Sequence, residues 1–157
     1  MPVKPIPDGY HTATPYIIVG GAARAIEFYK QAFGATELMR LPDQSGRIGH
    51  AEIRIGNSPI MLADEFPEMG IRGPKSIGGS AVIFLIYVPD VDAAFQRATA
   101  AGAKALRPVK DQFYGDRSGT LEDPFGHVWT LATHTEDVLP EEMQKRYEAL
   151  QKQQASG

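Results

Sequence analysis

A repeated strand-turn-strand pattern constrains this chain more than any other feature of its sequence. Residues 121–131, LEDPFGHVWTL, place Pro and Gly in a turn ahead of the β-branched and aromatic residues that are typical of a strand. Residues 52–62, EIRIGNSPIML, have the same form, with a Gly turn between two apolar strands. Because self-similarity of this kind indicates duplicated structural units, the chain is predicted to contain two related modules.

The first module is predicted over residues 10–63, after an extended leader at residues 1–9 whose three prolines exclude a helix. It begins with a strand at residues 10–19. A helix follows at residues 22–33, where an apolar stripe recurs at helical spacing and Gly34 stops the helix. Three further strands are predicted at residues 35–41, 48–55 and 59–63, so the module has the order βαβββ.

The second module, residues 81–133, repeats this order. A segment rich in Gly and Pro, residues 64–80, joins the two modules and is interpreted as a linker, with an acidic lid as the alternative. The module contains a strand at residues 81–88, a helix capped by Asp90, a strand at residues 103–109, a loop and the closing hairpin. Residues 134–157 are predicted to form a C-terminal amphipathic helix and tail. The predicted fold class is therefore α+β.

Composition excludes several classes of protein. The 157 residues suffice for one compact domain or for two small modules that share a core. The absence of cysteine excludes a disulfide framework, thiolate zinc sites and a cysteine nucleophile. A net charge of -3 with interspersed acids and bases argues against nucleic-acid and membrane partners, and the sequence contains neither a signal peptide nor a membrane span. We therefore expect a soluble, cytoplasmic protein.

Several short motifs, taken in order, resemble those of the vicinal oxygen chelate superfamily. They are AIEFY at 25–29, FGA at 33–35, PDVD at 89–92 and EDPFGH at 122–127. That superfamily includes glyoxalase I, bleomycin-resistance proteins, fosfomycin-resistance enzymes and extradiol dioxygenases. HAEIRIG at 50–56 and YGDR at 114–117 are similar more specifically to its PhnB-like branch. The resemblance spans residues 10–135.

The resemblance implies two βαβββ modules whose curved mixed sheets enclose a cavity, in a homodimer that pairs modules across its interface. In the enzymes of this superfamily a divalent metal is held by His, Gln or Glu from the first and last strand of each module. The corresponding windows here are Thr12, Thr14 and Tyr16; Ile60, Met61 and Leu62; Ile83, Phe84 and Leu85; and Val128, Trp129, Thr130 and Leu131. These side chains are poor ligands for a divalent cation, so no metal or other cofactor is expected. A shifted register would instead bring in His11, His134, Asp64 or Glu65, which keeps a divalent metal as the alternative.

Three polar residues of the third strand are the candidates for chemistry. Strand alternation places His50, Glu52 and Arg54 on one face and the apolar residues between them on the other. His50 and Glu52 are the catalytic candidates, because a carboxylate two residues from an imidazole orients its tautomer for proton transfer. Arg54 is a candidate for substrate binding. The alternative is that this face is simply solvated.

Four further residues are candidates for ligand binding. Phe113, Tyr114 and Trp129 are predicted to form an aromatic wall, with Arg117 supplying charge at its rim. The alternatives are that Trp129 is the largest core residue of its hairpin and Tyr114 a loop anchor, and that Arg117 pairs structurally with Asp116, Glu122 or Asp123.

Three functions remain open from the sequence. The first is a protein of the bleomycin-resistance kind that binds a small organic molecule in the cavity between modules without the usual metal site. The second is an enzyme, either a metal-dependent glyoxalase-like lyase, isomerase or dioxygenase, or a metal-independent one that transfers protons through His50 and Glu52. The third is a structural or partner-binding module, which predicts a cavity filled by side chains.

Overall fold

Two four-stranded mixed sheets, each with its own long helix, make up the computed structural model, which describes residues 2–157. The first sheet and its helix are β1 (Tyr16–Val19), α1 (Ala22–Phe33), β2 (Thr36–Pro42), β3 (Ile48–Ile55) and β4 (Ser58–Asp64). The second set is β5 (Ile83–Tyr87), α3 (Val91–Ala101), β6 (Lys104–Asp111), β7 (Asp116–Glu122) and β8 (Val128–His134). A short helix, α2 (Pro74–Ile77), lies between them, and α4 (Pro140–Ala155) follows. The predicted α+β fold of two βαβββ modules with a C-terminal helix is confirmed.

Both sheets have the same topology. Their strand orders are β1-β4-β3-β2 and β5-β8-β7-β6, and in each the first strand of the module pairs in parallel with the last. All other pairs are antiparallel. Strands β1 and β5 are therefore edge strands, and α1 packs against α3 where the modules meet. Within residues 2–157, no helix is both long enough and apolar enough to cross a membrane.

The helices agree with their sequence patterns. Helix α1 buries the stripe that its periodicity predicts and ends at Gly34, whose φ of 67° is in the left-handed region that favours glycine. Helix α3 begins at Asp90, whose carboxylate accepts a hydrogen bond of 3.2 Å from the backbone N–H of Ala93. Local capping chemistry therefore fixes the ends of both long helices.

The first strand is shorter than its sequence predicts. The prediction began at residue 10, whereas β1 spans only Tyr16–Val19. Pro15 has no backbone N–H to donate to β4, although its carbonyl oxygen accepts one hydrogen bond of 2.9 Å from Met61. The β-branched and aromatic residues before Pro15 consequently form an extended leader outside the sheet.

The connection between the modules contains more structure than a simple linker. Between β4 and β5 the chain forms a 3-10 turn at Pro67–Met69 and then α2. The Glu65 carboxylate stabilises the start of α2, because it accepts hydrogen bonds from the Gly73 N–H at 2.7 Å and from the Ser76 hydroxyl.

Asp123 joins the two modules through a buried carboxylate that is only 3% exposed. Its Oδ2 accepts hydrogen bonds from the Tyr29 hydroxyl of α1 at 2.6 Å and from the Trp129 indole N–H of β8 at 2.8 Å. Its Oδ1 accepts from the backbone N–H groups of Phe125 and His127 in the turn. Burial, followed by the nearby Asp123 carboxylate, raises the pKa of Tyr29, so the phenol remains a donor.

The hairpin between β2 and β3 provides a natural control for this carboxylate. There Asp43 accepts hydrogen bonds from the backbone N–H groups of Ser45 and Arg47, as Asp123 does in its own turn. Asp43 is exposed, and its hydrogen bonds among residues 2–157 stay within its own hairpin, with Ser45 and Arg47.

Asp123→Asn is expected to lower the free energy of unfolding by about 2–3 kcal/mol, since the amide nitrogen facing Trp129 cannot accept the indole hydrogen bond. Asp43→Asn keeps the turn acceptor at an exposed position and is expected to leave stability close to that of the wild type. Urea unfolding midpoints of the two variants measure the difference. Equal losses in both would contradict the assignment of Asp123 as the link between modules.

Candidate functional site

Polar residues on the first sheet form a hydrogen-bonded chain. We call the side of this sheet that points away from α1 the first-sheet face. The Tyr16 hydroxyl lies 2.8 Å from Nδ1 of His50, and Nε2 of His50 lies 3.0 Å from Oε2 of Glu52. Because a carboxylate only accepts, Nε2 carries the proton, and in the neutral ring Nδ1 accepts the hydrogen bond of Tyr16. The structure therefore brings together His50 and Glu52, as the strand alternation predicts, and adds Tyr16.

The chain runs from an exposed end to a sheltered end. Tyr16 is 48% exposed, whereas the side chains of His50 and Glu52 are 26% and 14% exposed. Burial raises the pKa of Tyr16, so its phenol is neutral at ordinary pH. Arg54 is exposed on the same face, and over residues 2–157 its guanidinium makes no salt bridge. The face thus combines a hydrogen-bonded chain of titratable side chains with an exposed positive charge.

A cavity of about 550 Å³ lies between the two modules, and we call it the inter-module cavity. Aromatic rings form much of its wall: the ring centroids of Phe33 and Trp129 are 4.9 Å apart, as are those of Phe84 and Trp129. Polar groups lie at its rim on the leader and the β3–β4 hairpin, namely His11, Asn57 and Ser58. A volume of this size, with apolar walls and few polar groups, is typical of a small-molecule site.

The predicted aromatic wall is divided between two places. Trp129 is 1% exposed, and its ring belongs to the core and to the wall of the inter-module cavity. Phe113 and Tyr114 instead lie in the loop before β7, where Phe113 packs against Tyr147 of α4 with ring centroids 5.6 Å apart. Tyr114 lines a separate cavity of about 480 Å³ beside Thr120 and Thr130. The three aromatic residues therefore do not form one surface.

Arg117 forms salt bridges with carboxylates other than those that the sequence suggested as its partners. Its guanidinium pairs with Asp92 of α3 at 2.8 Å and with Asp111 of β6 at 3.3 Å. Within residues 2–157, the suggested partners do not pair with it. Strand alternation in β7 puts Asp116 on the face opposite Arg117, and Asp123 accepts from Tyr29 and Trp129 instead. Arg117 thus joins a helix to its sheet.

Carboxylates and imidazoles near the strand ends are engaged in the fold. Asp64 accepts hydrogen bonds from the backbone N–H groups of Gly21, Ala22 and Ile48. His134 lies between two carboxylates, with Nδ1 at 2.8 Å from Asp116 and Nε2 at 2.7 Å from Asp137. His127 donates from Nε2 to the Ile18 carbonyl oxygen at 2.8 Å. These side chains therefore stabilise the packing of strands, turns and the segment before α4 through hydrogen bonds.

The donor atoms do not fit the metal site that the resemblance implies. Tyr16 pairs with Met61 across β1 and β4, and Leu85 pairs with Thr130 across β5 and β8. Phenol, thioether, alkyl and alcohol groups do not form a ligand set for a hard or borderline divalent cation. Across residues 2–157, no three His, Asp or Glu side chains converge on a point where they would hold an ion.

Two kinds of residue at these sites were not singled out from the sequence. Tyr16 was considered only as a poor metal ligand, and its contact with His50 depends on the parallel pairing of β1 with β4. Phe33 belongs to the apolar stripe predicted for the first helix and Phe84 to a window for metal ligands, and only the packing of one module on the other makes them cavity walls. In both cases the missing information is tertiary.

Comparison with known proteins agrees with this architecture. Residues 10–131 match the family model of the Glyoxalase/Bleomycin resistance protein/Dioxygenase superfamily. The chain belongs to this superfamily. The uncharacterized protein Rv0887c of Mycobacterium tuberculosis H37Rv is 44% identical over 134 residues, which cover 83% of this chain and 79% of that protein.

Solved structures show the same fold. The gene product At5g48480 of Arabidopsis thaliana has a TM-score of 0.63 and 29% identity, covering 78% of this chain and 98% of its own. TioX from Micromonospora sp. ML1 has a TM-score of 0.61 and 26% identity, covering 82% of this chain and 100% of its own. These similarities establish family and fold.

The position of His134 between two carboxylates predicts a pH dependence. Hydrogen bonds to Asp137 and then to Asp116 raise the pKa of His134 above its ordinary value of 6.5. A raised folded-state pKa means that the charged imidazole contributes its full stabilisation below pH 6.5, and that this contribution is lost as pH rises through the higher folded-state value. An NMR titration of the imidazole Hε1 protons should show the raised midpoint.

Asp137→Asn is expected to lower that midpoint, because it removes the largest cause of the shift. Asp8→Asn, in the leader, is the control and should leave the titration of His134 unchanged. A midpoint that is the same in wild type and Asp137→Asn would show that Asp137 does not hold the charged ring.

Proposed function

We propose that this protein binds a small, flat and largely apolar organic molecule in the inter-module cavity, as a binding protein of the bleomycin-resistance kind that uses no metal. The observation that carries the proposal is the aromatic wall formed by Phe33, Phe84 and Trp129 around open space of about 550 Å³. Aromatic rings offer a large apolar contact area with defined stacking geometry. The polar groups at the rim would orient the ligand.

The open volume also favours binding over a purely structural role. A module that only holds other elements in place is expected to fill its interior to the density of a protein core. Here the side chains that line the inter-module cavity leave an open volume of about 550 Å³, which is within the range of small-molecule sites. The metal-dependent lyase, isomerase or dioxygenase is disfavoured by the donor atoms at Tyr16, Met61, Leu85 and Thr130.

Trp129 is the single tryptophan of the chain, so its fluorescence reports directly on the cavity. A neutral aromatic probe such as 1-naphthylmethanol is expected to change that emission saturably, in the micromolar to millimolar range. Ala13→Phe places a ring at the mouth of the cavity and should weaken the apparent affinity at least tenfold, because it fills the space that the probe requires. Fluorescence titration measures both effects.

Ala155→Phe is the matched control, since it adds the same ring near the end of α4, away from the cavity. It should bind the probe like the wild type. The proposal fails if the emission of Trp129 does not saturate with any aromatic probe, or if both phenylalanine variants weaken binding equally.

A second copy of this chain is the proposed partner. Strand β5 is an edge strand, and its outward-facing residues Ile83, Leu85 and Tyr87 are 58%, 47% and 62% exposed. An exposed apolar row with an unpaired backbone edge favours association with another sheet. We propose that β5 lies in the interface of a homodimer.

Ile83→Glu is expected to raise the dissociation constant of this homodimer at least tenfold, because it places a charge in the apolar row without touching the lining of the inter-module cavity. Ile77→Glu on α2 is the control, since Ile77 is equally apolar and 66% exposed. Sedimentation equilibrium over a range of protein concentrations measures the masses. A wild-type protein that stays monomeric would refute the interface.

Two finer assignments accompany this proposal. The HAEIRIG and YGDR motifs support membership of the PhnB-like branch, and the lack of cysteine supports a cytoplasmic location.

The second candidate function is a metal-independent enzyme that transfers protons at His50 and Glu52, and the 3.0 Å contact between them favours it.

A further inference from the structure

We propose that Tyr16 is the catalytic residue of a proton-transfer site on the first-sheet face, and that its substrates are small organic anions with an acidic C–H beside a carbonyl group. This proposal rests on the second candidate function and is independent of ligand binding in the inter-module cavity. It starts from the hydrogen-bonded order Tyr16, His50, Glu52, in which only Tyr16 is widely open to solvent.

The geometry places a base, His50, within hydrogen-bond distance of the Tyr16 hydroxyl, the group proposed to react. The hydroxyl of Tyr16 donates to Nδ1 of His50 at 2.8 Å, and Glu52 holds the opposite ring nitrogen at 3.0 Å. A hydroxyl, a base and a group that orients the base are the elements of relayed proton transfer. Glu52 is a positioning residue, because it fixes the tautomer that leaves Nδ1 free to accept.

The proton transfer balances without metal or oxidant. The Tyr16 oxygen takes the proton of the substrate C–H bond while its own hydroxyl proton passes to Nδ1 of His50. The electron pair of the broken C–H bond forms the C=C bond of an enolate, and the carbonyl oxygen takes the negative charge. Return of a proton along the same path restores the carbonyl compound, so in D₂O the net result is exchange of hydrogen for deuterium at that carbon.

The neighbours of Tyr16 define the substrate class. Met61 pairs with both Tyr16 and Glu52 across the sheet, and Met39 pairs with Glu52 from the other side, so the polar chain lies among thioethers. Flexible thioethers accommodate an apolar body of irregular shape. Arg54, on the same face and without a salt bridge among residues 2–157, supplies a charge for a carboxylate. A 2-oxo acid with a hydrophobic substituent meets these requirements.

The test measures deuterium incorporation at C3 of 2-oxo-4-phenylbutanoate in D₂O by ¹H NMR, above the rate in buffer. Tyr16→Phe removes only the hydroxyl and is expected to slow exchange at least 100-fold, the usual contribution of a positioned acid or base. His50→Ala should slow it similarly.

Matched variants separate the roles. Tyr87→Phe removes a tyrosine hydroxyl from β5, where it donates to Asp116 at 2.9 Å, and should leave exchange unchanged. Glu52→Gln should lower the kcat of exchange less than Tyr16→Phe does and leave KM unchanged, because Glu52 acts only through its contact with His50. Arg54→Gln should abolish the preference for the anion over the neutral ketone 4-phenyl-2-butanone.

Three results would overturn the proposal: no exchange above buffer by the wild type, equal rates in wild type and Tyr16→Phe, or equal losses in Tyr16→Phe and Tyr87→Phe. If Tyr16→Phe loses exchange but keeps the fluorescence response of Trp129, the two sites are separate, so the failure of one proposal can be distinguished from the failure of the other.

Discussion

The carboxylate of Asp123 is the interaction on which the arrangement of the two modules depends. A buried carboxylate is unfavourable unless its lone pairs are used, and here two backbone and two side-chain donors use them. One of those donors, Tyr29, comes from α1 of the first module, while the others belong to the second. Because Phe33 on α1 and Trp129 on β8 line the inter-module cavity, its shape follows from how Asp123 fixes one helix against the other sheet.

Duplication supplies equivalent positions that have acquired different chemistry. Tyr16 pairs with Met61 as Leu85 pairs with Thr130, and Glu52 faces Met61 as Thr120 faces Thr130. The first sheet has therefore kept a phenol and a carboxylate where the second has an alkyl group and a hydroxyl. Thr120 and Thr130 satisfy one another with a hydrogen bond of 2.9 Å, which leaves the second sheet without a titratable group at those positions. At these paired positions, only the first sheet therefore carries groups that could take part in the proposed proton transfer.

Much of the fold could be predicted from the sequence, because its local rules point to the same structure. Helices α1 and α3 follow from apolar periodicity and end at Gly34 and Gly102, and β3 follows from strict alternation. The site was less predictable. The contact of His50 with Glu52 is local to one strand and follows from alternation, whereas the separation of Trp129 from Tyr114 and the pairing of Arg117 with Asp92 depend on contacts between elements distant in sequence.

The two proposed sites differ in what they can recognise because they differ in solvation. The inter-module cavity presents aromatic carbon, with polar groups only at the rim, so desolvating an apolar ligand supplies most of the driving force there. On the first-sheet face, Tyr16 is open to water while Glu52 is sheltered, so a proton can be exchanged at one end of the chain while the charge that stabilises the imidazolium stays fixed at the other. An apolar wall cannot perform that exchange, and a polar chain open to water gains little from binding an uncharged ring. The two proposals therefore assign recognition and proton transfer to separate parts of the duplicated fold, and neither requires one site to serve both.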